Sequence, residues 1–283
     1  MIYVPDADID RLIAEDSGFG DLTTTALGIG GEPGVMRFTT RHAMIVCAIE
    51  EAGRLLARLG AQVELAAGSG QWAEPGTPLL AAHGPAASLH AGWKAAQTLV
   101  EWASGIATGV RAIVDAARAQ RPDIVVACTR KAAPFTRGLS IKAVHAGGGT
   151  MHRTGLSDTV LLFAEHRVFI ADVDEAVVVA RLRAAAPERK IAVEVSTPDA
   201  ALAYAQAGAD VLQLEKFSPE LVSQVVRAIA GLPGRPLIVA AGGVNATNAA
   251  AYAIAGADVL ATSAPYVAPP RDVQVTLSRS ASF

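Results

Sequence analysis

From about residue 124 onward, short β-branched runs alternate with helical segments, and that order restricts the chain to parallel strands joined by crossover helices. The runs fall at residues 124–128, 159–163, 191–195, 210–214, 237–241 and 258–262. About six parallel strands suit an α/β barrel better than a small sheet. Helix starts are marked by Thr197 before Pro198, by Ser218 before Pro219, and by Asn245 after a glycine pair. Each start offers a capping side chain or a proline in the first turn. Gly208, Gly231 and Gly256 suit positions just beyond helix ends.

The residues before this region have a different texture. Strand-like runs at 35–39 and 62–65, a helical stretch at 51–59 and a turn-rich segment at 72–78 predict a separate α+β domain over 1–107. Residues 267–283 are candidates to complete it, and the barrel domain then spans 108–266. A long helical region at 86–120, broken near Ser104 and Gly105, connects the two.

Composition excludes several classes. The chain of 283 residues is 51% hydrophobic, enough for a large core. Its formal net charge of -3 argues against general nucleic-acid binding, which draws on an excess of Lys and Arg. The two cysteines, Cys47 and Cys128, match no metal-ligand spacing. Asp6, Asp8 and Asp10 near the start oppose the pattern of an export signal, so the expected location is the cytoplasm. The uncharged stretch at 236–257 is interrupted by Gly242, Gly243 and Asn245, and reads as strand, turn and helix, with no membrane partner. The glycines at 28–34 lack dinucleotide-binding spacing.

In parallel barrels, functional side chains gather at the C-terminal strand ends. That rule selects Thr129, Arg130 and Lys131, then Glu194, Glu215, Gly242, Gly243 and Ser263. Adjacent cations after an apolar run repel unless an anion compensates them, so Arg130 and Lys131 are either a solvated loop pair or an anion site, and their place at a barrel mouth favours the anion. Residues 129–167 hold six basic residues against two acids, a local balance of +4. His152 and Arg153 follow the flexible Gly147–Gly149 run; arginine supplies a planar fork for carboxylate or phosphate. His145 and His166 read as structural hydrogen-bonders. Glu194, inside an apolar strand, needs compensation: a pairing with Lys131 or another cation, a metal, or a sugar hydroxyl. Glu215, followed by Lys216, reads more simply as a surface ion pair. Gly242 and Gly243 before a helix near Asn245 resemble a phosphate cup.

Several segments, taken in order, resemble the quinolinate phosphoribosyltransferase family: Gly20-Asp21-Leu22-Thr23-Thr24, Ser104-Gly105-Ile106-Ala107-Thr108, Thr129-Arg130-Lys131, Gly147–Gly149, His152-Arg153 and Leu156-Ser157-Asp158. They span nearly the whole chain, and together they are specific although none is alone. Leu162-Phe163-Ala164-Glu165-His166 looks closer to the ModD branch, which is associated with molybdenum transport.

The resemblance implies that the N-terminal domain is an α/β sandwich, that the barrel is an open, incomplete α/β barrel of fewer than eight strands, and that the protein is a homodimer in which one subunit's sandwich covers its partner's active site. It also implies 5-phosphoribosyl 1-diphosphate (PRPP), a small anionic acceptor and Mg²⁺ as partners. Carried over, Arg130, His152 and Arg153 grip the acceptor, Lys131, Glu194 and Glu215 serve the ribosyl diphosphate as catalytic residues, and the two glutamates hold the metal. Gly242, Gly243 and Ser263 receive the 5-phosphate. Three departures concern the acceptor and ribose: Phe163 stands where these enzymes carry a lysine that meets a substrate carboxylate, Lys94 stands for an arginine, and Glu215 for an aspartate. The expected function is phosphoribosyl transfer to an altered nitrogen-containing acid, with a non-catalytic anion-binding protein of molybdate transport as the alternative.

Overall fold

A computed structural model describes residues 2–280. The chain forms two compact units: one comprises the residues up to Arg111, Ala133–Gly148 and those from Pro265 on, the other Ala112–Ala132 and Gly149–Ala264.

In the first unit, β1 (Pro33–Thr40), β3 (Gln62–Leu65), β5 (Pro78–Pro85) and β13 (Val273–Arg279) make an antiparallel sheet in the order β13-β1-β5-β3. A short β2 (Met44–Ile45) pairs with β4 (Trp72–Ala73). The helix Ile49–Arg58 buries Ile49, Ala52, Leu55 and Leu56, residues at helical spacing, in a core with Met36, Phe38 and Leu79. Full burial of each leucine or isoleucine among them contributes about 2 kcal/mol.

The helix Ala86–Arg118 is continuous, where Ser104 and Gly105 point to a break. The small residues mark close packing instead. Ser104 is buried and its hydroxyl accepts the Cys47 N–H at 2.9 Å. A Cβ on Gly105 would stand 2.6 Å from the Pro269 carbonyl oxygen.

The helix Arg137–Ala146 belongs to the first unit, not to the barrel as its place in the sequence suggests. Its Lys142 Nζ donates to Glu50 Oε2 at 2.8 Å and to Glu51 Oε2 at 2.5 Å. A Cβ on Gly147 would lie 2.4 Å from the Ala107 carbonyl oxygen, so only glycine fits there. An amphipathic pattern carries no record of which partner a helix chooses, and this one is fixed by a buried charge.

The second unit is a seven-stranded sheet, every neighbour parallel, in the order β7-β6-β12-β11-β10-β9-β8. Its members are β6 (Val125–Cys128), β7 (Thr150–Met151), β8 (Val160–Leu162), β9 (Ile191–Val195), β10 (Val211–Glu215), β11 (Leu237–Ala241) and β12 (Val259–Thr262). The edge strands β7 and β8 do not pair, so this is a half-barrel. β7 is the strand absent from the sequence pattern, because two residues carry no alternation.

Thr197 and Ser218 cap their helices as expected, accepting from the Ala200 and Leu221 N–H groups at 3.2 and 3.4 Å. The expected start at Asn245 moves to Ala249. Between them the amides of Asn245 and Asn248 both donate to the Gly243 carbonyl, at 3.1 and 3.0 Å, holding a turn in place of a first helical coil. Among the described residues no helix is long and apolar enough to cross a membrane.

The Lys142 network makes stability pH-dependent. Burial alone would raise the Glu50 carboxyl, but hydrogen bonds from Lys142 and Ser69 outweigh it and hold it down at about 2. The stabilisation by ionised Glu50 is therefore complete above the unfolded value, about 4.5, and is lost as pH falls toward about 2. Lys142→Ala, which strands Glu51, is expected to cost about 3 kcal/mol in urea unfolding at pH 7 and to flatten the loss below pH 4.5.

Candidate active site

Because all seven strands of the half-barrel point the same way, their C-terminal ends share one edge, and each delivers a residue to one cleft. β6 is followed by Thr129, Arg130 and Lys131, β7 by His152 and Arg153, β8 by Phe163, β11 by Gly242 and Gly243, and β12 by Ser263. Glu194 is the fourth residue of β9, and Glu215 closes β10. The cleft holds about 950 Å³, ample for a nucleotide-sized ligand. Of the expected site residues, Lys94 alone does not line it. Lys94 sits on the helix Ala86–Arg118, donates to Gln97 Oε1 at 3.1 Å, and lines a separate pocket of the first unit with Leu12, Thr98 and Trp102.

The positive character of the cleft is narrower than the basic segment suggests. Lys142 is committed to Glu50 and Glu51, and Arg167 to the Val173 carbonyl and Glu175. Arg130, Lys131 and Arg153 remain at the cleft. Arg130 Nη1 is buried without a hydrogen-bond partner. A buried N–H donor of a charged group is costly to leave unpaired, so it marks where an anion belongs. Arg153 is pushed below its usual basicity by burial and by the charge of Arg130, against the attraction of Glu194. Two guanidinium groups thus crowd one wall. The Arg153 Cζ lies 5.1 Å from the centre of the Phe163 ring, whose negative face offsets part of that crowding.

Burial and then the Arg153 charge lower the basicity of His152. Both effects favour the neutral ring, which can donate and accept a hydrogen bond.

Glu194 is compensated by a residue that the strand-end rule does not select. Gln213 stands beside it in the β9–β10 register, and its Nε2 donates to Glu194 Oε2. Lys131 exerts only a weak pull. Burial and the charge of Glu215 together raise the Glu194 carboxyl. A buried glutamine within Val211-Leu212-Gln213-Leu214 is the signal that could have found this partner. Glu215 is half-buried at the cleft rather than a surface partner of Lys216. Lys216 adopts a left-handed φ of 59°, a conformation that costs a non-glycine residue about 1 kcal/mol. Gly242, at φ 83°, passes so close that a Cβ there would meet Glu215 Oε1 and the Lys216 nitrogen at 2.7 Å. Among the described residues no three His, Cys, Asp or Glu side chains gather into a metal cluster; Glu194 and Glu215 offer a pair of oxygen ligands.

Cationic, carboxylate and glycine loops thus converge at the strand ends of a parallel half-barrel. The sequence comparisons name the group: the chain belongs to the quinolinate phosphoribosyltransferase family, matching its N-terminal domain over residues 21–104 and its C-terminal domain over 106–276. The Rhodobacter capsulatus protein named "Putative pyrophosphorylase ModD" is 53% identical over 250 residues, 88% of this chain and 96% of that one. Its namesake from Escherichia coli O6:H1 is 41% identical over 284 residues, the full length of both. The structure of NadC from Streptococcus pyogenes superposes with a TM-score of 0.88 at 25% identity, covering 97% of this chain and 96% of that one.

Because Arg153 contributes to holding His152 down, Arg153→Gln is expected to raise the His152 titration midpoint while leaving it below the usual histidine value, since burial persists. Side-chain NMR titration reads this directly; an unmoved midpoint would show that the two groups do not interact.

Proposed function

We propose that the chain is a phosphoribosyltransferase that moves the 5-phosphoribosyl group of PRPP onto a ring nitrogen of a small acid other than quinolinate. The C1–oxygen bond to diphosphate breaks, its electron pair leaving with the diphosphate, while the acceptor nitrogen supplies the pair for the new C1–nitrogen bond. The observation that carries this reading is the buried, unpartnered Arg130 Nη1 in a cleft lined by Lys131, Arg153, Glu194 and Glu215.

Each residue type has work in such a transfer. As the bond to diphosphate breaks, negative charge grows on the leaving group, and Lys131 is a fixed cation suited to it. Positive charge grows on the ribose, and the carboxylates Glu194 and Glu215 are suited to its hydroxyls and its charge. Gln213 orients Glu194 for that contact. Arg130 and His152 take the acceptor, with Arg153 beside them. Gly242, Gly243 and Ser263 offer backbone and hydroxyl groups to the 5-phosphate.

Mg²⁺ fits the donor set. It is usually held by one or two carboxylates together with substrate phosphates and water, so the pair Glu194 and Glu215 suffices without a larger cluster. When bound it would neutralise charge on the diphosphate. The reading includes a homodimer in which Lys94 of one protomer serves the cleft of the other.

Phe163 replaces a cation with a ring, and quinolinate thereby loses a charge-assisted contact that contributes about 2 kcal/mol. Calorimetry with PRPP and Mg²⁺ is expected to show binding, and Lys131→Ala to abolish diphosphate release with any acceptor. Quinolinate turnover is expected to be at least about tenfold below that of a Phe163→Lys variant. Absence of PRPP binding at millimolar concentration, with molybdate bound instead, would replace the enzyme reading by an anion-binding one. Sedimentation at a single-subunit mass would remove Lys94 from the site.

A further inference from the structure

The loop after β8 brings three side chains to the cleft: Phe163, Glu165 and His166. The last two have no part in the transfer described above. Their arrangement is nonetheless built. The Phe163 and His166 rings stack with centroids 5.8 Å apart and planes inclined by 17°. The backbone N–H of Phe163 donates to His166 Nδ1 at 3.0 Å. A nitrogen that accepts that bond carries no proton, so the neutral ring has its N–H at Nε2. Glu165 adds a carboxylate to the same wall, near enough to contribute to raising Glu194.

Charge then limits what this wall can accept. The cations of the cleft are Arg130, Lys131 and Arg153, and the carboxylates Glu165, Glu194 and Glu215 stand against them. Arg153 already faces the Phe163 ring. Arg130 Nη1 is the unsatisfied donor, and one acidic group of a ligand satisfies it. A second ligand carboxylate directed past Arg153, whose charge is turned to the Phe163 ring, would meet Glu165, a like charge. An N–H group at the same edge would instead give Glu165 a charge-assisted hydrogen bond.

We propose that Phe163, Glu165 and His166 form an acceptor subsite for a planar heterocycle with a single acidic group and, in place of a second one, an amino or other N–H-bearing substituent that donates to Glu165. The ring of the ligand lies between Arg130 and the β8 loop, whose shape is fixed by Phe163 stacked on His166, and its acidic group reaches Arg130. This assignment rests on the phosphoribosyl-transfer reading of the same cleft, and it fixes the substrate class that reading leaves open.

Binding of acceptor analogues without PRPP tests the subsite independently of turnover. Titration calorimetry compares quinolinate, nicotinate and 2-aminonicotinate, the last differing from quinolinate by an amino group in place of one carboxylate. The expected order is 2-aminonicotinate tightest, by about tenfold over quinolinate, the value of one charge-assisted hydrogen bond. Glu165→Gln is expected to erase most of that margin, and Phe163→Lys to reverse it in favour of quinolinate. Both positions are open to the cleft, and near-ultraviolet circular dichroism of each variant reports whether the fold is kept. Quinolinate binding as tightly as 2-aminonicotinate to the unaltered protein, an unchanged margin in Glu165→Gln, or no binding of any of the three at millimolar concentration would each overturn the subsite. A subsite with the expected selectivity in a protein that neither binds PRPP nor releases diphosphate would instead refute the transferase reading alone.

Discussion

The parallel hydrogen-bond ladder of the second unit is the constraint on which the rest depends. Strands that all run one way place all their C-terminal ends on one edge, and the loops there carry no duty to the core. Seven separate stretches of sequence, from Thr129 to Ser263, thereby meet around one cleft. Reversing any single strand would remove its contribution to the opposite side of the sheet.

Within that cleft, charge is arranged in opposition rather than in excess. Arg130 and Arg153 lie close enough for one to depress the other, while Glu215 and burial raise Glu194. Both like-charge pairs are held in place by neighbours that do not titrate: a phenyl ring beside Arg153 and a carboxamide on Glu194. A ligand that carries negative charge to the arginines and polar hydroxyls to the glutamates relieves both. The like charges of the cleft oppose one another, positive on one wall and negative on the other.

The parts of this architecture that were legible in the sequence are those with a period or a fixed chemistry. β9 and β11 have the bounds that β-branched runs imply, and Thr197 and Ser218 cap where an N1 proline announces them. The strand-end residues Arg130, Lys131, Glu194 and Glu215 follow from the direction of a parallel sheet alone. Features decided by tertiary partners were not legible. Ser104 and Gly105 look like a helix break and are instead tight contacts; the helix of Lys142 joins the first unit because Glu50 and Glu51 wait there. β7 is too short to show a pattern, and Gln213 becomes meaningful only when the register sets it beside Glu194.

The close passage of Gly242 over Glu215 reaches beyond the geometry of one loop. The glutamate oxygen and the Lys216 backbone nitrogen both lie 2.7 Å from where any other residue at 242 would put its first carbon, and the φ of 83° strains such a residue besides. Glu215 ends one strand and Gly242 follows the next, and of the two obstacles at 242 the side-chain oxygen can swing away while the backbone nitrogen cannot. Shortening the acid therefore leaves position 242 closed to bulk, and the cleft keeps a glycine there whichever acid stands at 215.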